Sequence, residues 1–455
     1  MIEPASPAHD IATRVAVGQT TAVQVAEAAL DRIAAAAALN AVVTINAAQT
    51  LADADAVDRR RASGETMPLA GVPIIVKDNI WARGWRATQG SRLFADFVAP
   101  QDAIAVERLR KAGAVIAGIG ATSEFACKGV TTSPLFGPTR HPLNPDLTPG
   151  GSSGGPASAV GAGLVPLAIG TDAGGSIRRP AAHVGAVGFK PSYGAVPYGP
   201  GFAEPVSAVS VIGPVATSVA DIALAFESMA GIDPRDPDAA FIATDDGELA
   251  DLRMAFSPRL GMDVAVDKVV EDGVALAVER LTAAGLRIVR RDPVWPTGAT
   301  EEAIMPLQQA GLAALYGQSF RHDPSIFDPD IARQIEQGLS RTGVDVAAAA
   351  LASAAIANAF AAFLCDVDLL LTPTVPCVAW PLHQPYPTTI GGKAAGPRGH
   401  AVFTPFVNHA RLPAISIPCG TDPGGLPFAL QIVAGRGRDR CLLKAARRIE
   451  MILAT

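Results

Sequence analysis

Apolar and polar positions follow two periodicities that alternate along almost the whole chain. Apolar residues recur at helical spacing over residues 21–38 and 264–284, whereas short continuous apolar runs, such as 71–80 and 114–119, are typical of buried strands. Because helical and strand-like segments alternate, the pattern predicts an α/β fold. We expect one large mixed β-sheet that is covered by helices on both sides.

The same alternation bears on the number of domains. The best candidate for a boundary is the Asp- and Pro-rich segment 232–250. Strand-like patterns resume after it, and the chain contains no internal repeat and no low-complexity linker. We therefore predict a single domain over residues 1–455.

One segment is long enough to cross a membrane. Residues 346–365 contain no charged side chain, but most of them are alanine, and Ser353 and Asn358 interrupt the run. The larger apolar residues recur roughly at helical spacing (Leu351, Ile356, Phe360, Phe363 and Leu364). This spacing favours a buried amphipathic helix over a membrane span.

Composition excludes several classes of protein. With 49% hydrophobic and 18% charged residues, the chain is too apolar for a disordered protein. The net charge of −6 and the lack of a long basic run argue against a nucleic-acid surface. The five cysteines are scattered and never form C-x-x-C, so neither disulfides nor a zinc site is indicated. Together with an N-terminus unlike a signal peptide, this predicts a cytoplasmic protein.

A glycine-rich segment at 148–160 carries the first candidate chemistry. Four glycines flank Ser152 and Ser153 directly before a predicted helix. A phosphate loop would need a lysine after the glycines, and the segment has none. The pattern around Ser152 matches the nucleophile elbow, but that elbow must follow a strand, which 140–149 cannot form. A flexible surface loop is the remaining alternative.

A second glycine turn, at 170–185, contains Ser176. A predicted strand leads into this turn, and Gly174 and Gly175 lie where successive backbone N–H groups can converge on one point. Converging donors of this kind stabilise the oxyanion of acyl transfer, so Ser176 is a candidate nucleophile. A serine nucleophile needs a base.

Three side chains are candidates for that base. His141 and His183 lie near the glycine segments, but neither has an obvious acidic residue to orient it, and a structural role is expected for both. Lys77 ends the apolar run 71–80, where burial would favour its neutral form. Asp78 points to the opposite face of a regular strand and need not pair with Lys77. A surface lysine at a strand end is the alternative.

Together, Lys77, GGSSGG at 150–155 and GTDAGGSIRRPA at 170–181 resemble the amidase signature family. The resemblance covers nearly the whole chain, with the signature core at about 65–230. It implies a hydrolase that cuts linear amides, or related carbamate or aryl-amide bonds, through an acyl-enzyme. No metal or organic cofactor is implied.

The resemblance also implies roles for individual residues. Ser176 is the nucleophile, Ser152 is a bridging serine that follows a cis peptide bond, and Lys77 is the base. The oxyanion is expected to be held by backbone N–H groups of four consecutive residues (Ala173, Gly174, Gly175 and Ser176). Asp172 and Arg178 are expected to hold the nucleophile loop.

Two further residues are expected near the substrate. Ala126 lies where the family's pocket wall runs. Arg179 could place its guanidinium on a carboxylate or polar carbonyl of the substrate. Alternatively, it pairs with Asp172 or Glu204, or faces solvent.

Two rival functions remain. The first is the glutamine-hydrolysing component of a tRNA-dependent amidotransferase, although the middle segment is more similar to the stand-alone amidases. The second is a thiol amidase that uses Glu124, Lys128 and Cys127, which no glycine turn adjoins. For a stand-alone amidase we expect a small-molecule substrate and no nucleic-acid or membrane partner, with a homodimer as an open option for its assembly.

Overall fold

The structure is a computed structural model that describes residues 4–206, 208–243 and 252–454. Its strands are β1 Val42–Thr44, β2 Pro73–Lys77, β3 Val115–Gly120, β4 Thr132–Ser133, β5 Gly137–Pro138, β6 Leu167–Asp172, β7 Val187–Lys190, β8 Val211–Ala216, β9 Met254–Phe256, β10 Ile288–Arg290, β11 Leu369–Pro373, β12 Thr389–Ile390, β13 Lys393–Ala394, β14 Ala414–Thr421 and β15 Pro427–Ala434.

The α-helices are α1 Ala8–Ala16, α2 Ala22–Ala35, α3 Ala47–Ala62, α4 Ile104–Lys111, α5 Gly154–Gly161, α6 Arg178–Val184, α7 Val219–Met229, α8 Lys268–Ala283, α9 Glu301–His322, α10 Pro329–Ser340, α11 Gly343–Phe363, α12 Pro405–His409 and α13 Asp439–Leu453.

Eleven of the described strands form one mixed sheet, which confirms the predicted fold class. The strand order is β1-β3-β2-β6-β8-β7-β14-β15-β11-β9-β10. β2 runs parallel to both β3 and β6, so the ends of β2 and β6 meet at one edge. Helices cover both faces of this sheet.

The alternation of side chains along β2 shows how the two faces are built. Ile74 and Val76 belong to one hydrophobic core, whereas Ile75 packs on the other side against residues of α2, α5 and α6. Successive strand residues point to opposite faces, so Lys77 lies on the same face as Ile75. That is the face where α5 and α6 begin.

Strands on both sides of segment 232–250 belong to this sheet, since β9 pairs in parallel with β11. Residues 244–251 lie outside the described residues. The extent of a single domain over 1–455 stays a prediction.

Two element boundaries are set by local turns. α4 starts after Ala103, because the Asp102 carboxylate accepts the Arg83 backbone N–H at 2.7 Å and does not cap the helix. The predicted strand that leads into the Ser176 turn, β6, starts only at Leu167, because Gly163 takes a left-handed conformation (φ 68°) and Leu164 completes the turn after α5.

The uncharged segment forms α11, as predicted, but its burial was overestimated. Ile356, Phe360 and Phe363 are buried, whereas Leu351, placed on the apolar face, is 73% exposed. Among the described residues, α11 is the one helix long and apolar enough to span a membrane, and a single such helix is weak evidence.

Candidate active site

Lys77 ends β2 in an environment closed to solvent. Its side chain has no exposed surface, and its Nζ lies 2.8 Å from Ser152 Oγ and 2.8 Å from Thr171 Oγ1. Burial lowers the pKa of Lys77 to about 7, so a large fraction of the amine is neutral near neutral pH. Asp78 points away and binds Thr88 and Gly90, as the strand pattern predicted.

The turn before α5 places Ser152 against that amine. The Gly151–Ser152 peptide bond is cis, as the family resemblance implied. Thr131 Oγ1 fastens the turn by donating to Gly150 O and accepting from Gly154 N, both at 2.9 Å. A Cβ on Gly151 would lie 2.6 Å from the Val130 carbonyl carbon, so only glycine fits there.

Thr171 and Asn79 belong to the same cluster, and the sequence analysis did not single them out. The Asn79 side-chain amide donates to Thr171 Oγ1 at 3.0 Å, while Thr171 Oγ1 accepts from Lys77. Both residues stand at strand ends next to predicted site residues. That adjacency was the available signal. It was a weak one, because Thr and Asn are common at such positions for purely structural reasons.

The turn between β6 and α6 carries Ser176. The Ser176 carbonyl accepts the Ser153 N–H at 3.1 Å, so the two serine turns are directly connected. No hydrogen bond of the Ser176 hydroxyl is found within the described residues. Gly175 has φ 110°, and a Cβ there would overlap the Thr404 side chain, so glycine is required.

The expected set of four oxyanion donors needs one correction. The Gly175 N–H donates to Asp172 Oδ1 at 2.6 Å, so it is already used. The N–H groups of Ala173, Gly174 and Ser176 have no hydrogen-bond partner among the described residues. These three remain the candidate donors.

Asp172 and Arg178 form a fully buried ion pair behind the turn, with Asp172 Oδ1 3.0 Å from Arg178 Nη2. Arg178 also donates to Gln431 and Asn408, and the Asn408 amide returns a bond to Asp172 O at 2.9 Å. Burial opposes ionisation of Asp172, but Arg178 outweighs it and holds the pKa of that carboxyl well below its usual range. The pair fixes the loop that carries Ser176.

Ser176 borders a cavity of about 50 Å³. Both residues that were expected near the substrate, Ala126 and Arg179, line it. The alternatives for Arg179 are wrong in this structure. It is only 3% exposed, Asp172 pairs with Arg178, and Glu204 accepts bonds from Tyr198 and Ser210.

Known proteins share the sequence pattern of this site and of most of the chain around it. The family model described as Amidase matches residues 24–443. The chain belongs to the Amidase family.

Sequence relatives of this amidase-family chain include components of one amidotransferase. A glutamyl-tRNA(Gln) amidotransferase subunit from a Synechococcus species is 35% identical over 472 residues, covering 96% of this chain and 95% of that protein. The protein of the same name from Deinococcus deserti is 37% identical over 477 residues, covering 97% and 95%.

Solved structures add one relative of another kind and a further amidotransferase subunit. A bacterial aryl acylamidase of the amidase signature family superimposes with a TM-score of 0.91 at 27% identity, covering 99% of this amidase and 96% of that chain. The glutamyl-tRNA(Gln) amidotransferase subunit from Thermotoga maritima gives a TM-score of 0.71 at 28% identity, covering 85% and 84%.

The histidines of the amidase are not arranged as bases for Ser176. His141 Nε2 lies 2.7 Å from the His183 carbonyl oxygen. Both ring nitrogens of His183 are buried without a partner among the described residues, and its ring packs edge-on against Trp380 at 5.4 Å. Burial lowers the pKa of His183 to about 3.

The thiol-amidase alternative is wrong on geometry. Lys128 Nζ is bound to both carboxylate oxygens of Asp328 at 2.8 Å, and Glu124 accepts from Ser91 and from the Asp328 N–H. Burial raises the pKa of the Cys127 thiol, which disfavours the thiolate. The three groups do not form a common catalytic set.

Proposed function

We propose that this amidase-family hydrolase cleaves amide C–N bonds with Ser176 as nucleophile, Ser152 as proton relay and Lys77 as base. The observation that carries the proposal is the 2.8 Å contact between a fully buried lysine amine and the Ser152 hydroxyl. Burial removes the proton from part of the Lys77 population near neutral pH, and a neutral amine can accept a proton.

In the proposed steps, the proton of Ser176 reaches Lys77 through Ser152. Lys77 takes the Ser152 proton while Ser152 takes the Ser176 proton, and Ser176 Oγ attacks the amide carbonyl carbon. Ser152 then returns a proton to the departing nitrogen as the C–N bond breaks. Water, deprotonated along the same path, attacks the Ser176 ester and releases the acid.

Charge that develops on the carbonyl oxygen needs preorganised donors. The N–H groups of Ala173, Gly174 and Ser176 are our proposed oxyanion site, since they border the cavity or the nucleophile and are unengaged among the described residues. Ala126, whose φ of 58° turns the chain beside Cys127, is the proposed pocket wall.

Two substrate assignments are compatible with this chemistry. The middle segment of the sequence favoured a stand-alone amidase acting on linear amides, carbamates or aryl amides, and this preference is not confirmed. The sequence relatives favour the alternative, in which Ser176 hydrolyses glutamine within a tRNA-dependent amidotransferase. The aryl acylamidase neighbour keeps the first assignment as a second candidate.

The experiment is a hydrolysis screen of the purified chain against glutamine, short aliphatic amides, anilides and carbamates. Ser176→Ala should abolish all turnover and covalent labelling by a serine-directed phosphonate. Ser153→Ala is the matched control, because it removes one hydroxyl from the neighbouring turn and should retain labelling. Labelling of Ser176→Ala at another residue would refute the nucleophile.

The same screen separates the two assignments. Rapid turnover of neutral amides or anilides by the chain alone supports a stand-alone enzyme with a small-molecule substrate. Ammonia release from glutamine that requires the other amidotransferase components supports the second assignment, and it would also make the expected absence of a nucleic-acid partner wrong.

A further inference from the structure

Arg179 is a buried cation whose charge the fold leaves uncompensated. Its side chain lines the Ser176 cavity, yet Nη1 has no hydrogen-bond partner in the described parts of the chain. The one bond found there for this side chain is a long one, from Nε to Gly175 O at 3.4 Å. An unpaired buried charge is costly, so a fold retains it where a ligand supplies the partner.

A second guanidinium, Arg398, lines the same cavity from a loop more than 200 residues away. A Cβ built on Gly174 would lie 3.9 Å from Arg398 Nη2, and one on Gly175 would lie 2.8 Å from Arg179 Nε. The two guanidinium groups therefore flank consecutive glycines of the nucleophile turn.

Glu301, at the first turn of α9, positions Arg398. Its Oε1 accepts from Arg398 Nε at 2.6 Å and also contacts Nη2. Within the described residues, Nη1 of Arg398 forms no hydrogen bond. The side chain is thus held from one edge while the other edge remains available.

The charges around the cavity leave one positive charge in excess. Lys128 and Arg333 are balanced by Asp328 and Asp330, and Arg398 is balanced by Glu301. His409 is held neutral, because burial lowers its pKa to about 4. Arg179 has no carboxylate in contact among the described residues.

Part of the remaining wall is apolar. Ile304 and Met305 of α9, together with Pro405, line the cavity, and Gln308 adds a polar amide. Such apolar side chains suit a short methylene chain between an amide and an anionic group.

We propose that the substrate is an amide whose acyl chain ends in a carboxylate, which Arg179 and Arg398 bind together beside the nucleophile turn. This inference rests on the proposed function of Ser176. Planar guanidinium groups match carboxylates in two-point hydrogen bonding, and the excess positive charge selects an anion. Monoamides of dicarboxylic acids and glutamine both combine an amide with a carboxylate in this way.

The test compares kcat/KM for succinamate and butyramide, which differ only in a carboxylate replaced by a methyl group. The wild type should prefer succinamate. Arg179→Met and Arg398→Met should each lose about 10- to 100-fold on succinamate, and far less on butyramide. Arg291→Met, at an exposed arginine paired with Asp366, is the control and should change neither value.

Equal losses on both substrates, or a wild-type preference for butyramide, would overturn the carboxylate site. If the variants fail to fold, competition in the wild type decides the question. Succinate should inhibit butyramide hydrolysis far better than the uncharged succinamide, and equal inhibition would contradict the proposal.

A glutamine arm separates the two sources of the carboxylate. Glutamine preferred over succinamate, with the same dependence on Arg179, would assign the site to an amino-acid substrate. Succinamate preferred over glutamine would assign it to a dicarboxylic monoamide. If the proposed function of Ser176 is wrong, the wild type itself should show neither butyramide turnover nor Ser176 labelling. This outcome differs from failure of the carboxylate site alone, which would leave both intact.

Discussion

Thr171 Oγ1 lies 2.8 Å from Lys77 Nζ, the same distance that separates this nitrogen from Ser152 Oγ. The amine is therefore held between two hydroxyl groups. A hydroxyl can accept a hydrogen bond from the amine in either protonation state. Lys77 thus keeps its position whether or not it carries the proton that it is proposed to accept.

The pH dependence of activity should follow Lys77. Because burial lowers its pKa to about 7, the neutral amine increases as the pH rises through about 7, and kcat/KM should rise to a plateau above it. Lys77→Met should remove the rise and most activity. A pH–rate profile with a neutral amide measures both effects.

Lys190→Met is the matched control for that profile. Lys190 is also fully buried with a pKa lowered to about 7, but its Nζ bonds to Pro191 O. The variant should keep the midpoint of the rise. If the midpoint disappears in Lys190→Met and persists in Lys77→Met, the titration belongs to Lys190 and the role of Lys77 as base is contradicted.

Removing the Thr171 hydroxyl should weaken catalysis without removing a catalytic group. Thr171→Val takes away one acceptor for the charged amine, so the pKa of Lys77 should fall further and the activity midpoint should move to lower pH. We expect kcat to fall about tenfold, as for the loss of one positioning hydrogen bond. Thr171→Ser should restore both values, and an unchanged midpoint in Thr171→Val would contradict the role.

The Asp172–Arg178 pair should matter mainly for stability and loop geometry. Arg178→Met leaves a buried carboxylate without its cation, which should cost about 3–5 kcal/mol in the free energy of unfolding. Lys268→Met, which breaks an exposed ion pair with Asp272, should cost no more than about 1 kcal/mol. Denaturant unfolding of both variants measures the contrast, and similar losses would disprove it.

Buried His183 should make the protein sensitive to mild acid. Its pKa is lowered to about 3 by burial, so between about pH 6.5 and 3 the unfolded state binds a proton that the native state does not. Stability is therefore lost as the pH falls through this window. His183→Phe should reduce this slope by about 1.4 kcal/mol per pH unit in denaturant unfolding measured at several pH values within the window, and an unchanged slope would contradict the role of His183.

Local patterns in the sequence singled out much of the candidate site, and the family resemblance supplied the roles of its residues. Lys77 ends a continuous apolar run, and Ser152 and Ser176 each lie in a glycine turn, so each could be found from its own neighbours. The α/β alternation also predicted the mixed sheet. These features depend on short-range periodicity and backbone conformation, both of which are visible within a few residues.

Other features depend on contacts that no local pattern encodes. The pairing of Arg398 with Glu301 joins two segments far apart in the chain, and Arg398 was therefore missed. The Gly175 N–H donates to Asp172 and so does not serve as an oxyanion donor, which depends on the path of the backbone through the turn. Leu351 was assigned to the core because helical spacing locates an apolar stripe but does not show whether anything covers it.

The support of the nucleophile loop has a consequence for biosynthesis. All three candidate catalytic residues are translated before residue 180, whereas Thr404, Asn408 and Gln431, which bind Arg178, lie close to the end of the chain. A nascent chain cannot fix the Ser176 turn until β15 has emerged from the ribosome. We therefore expect hydrolytic activity to require synthesis through β15, and a chain terminated before it would carry the candidate catalytic residues without this support.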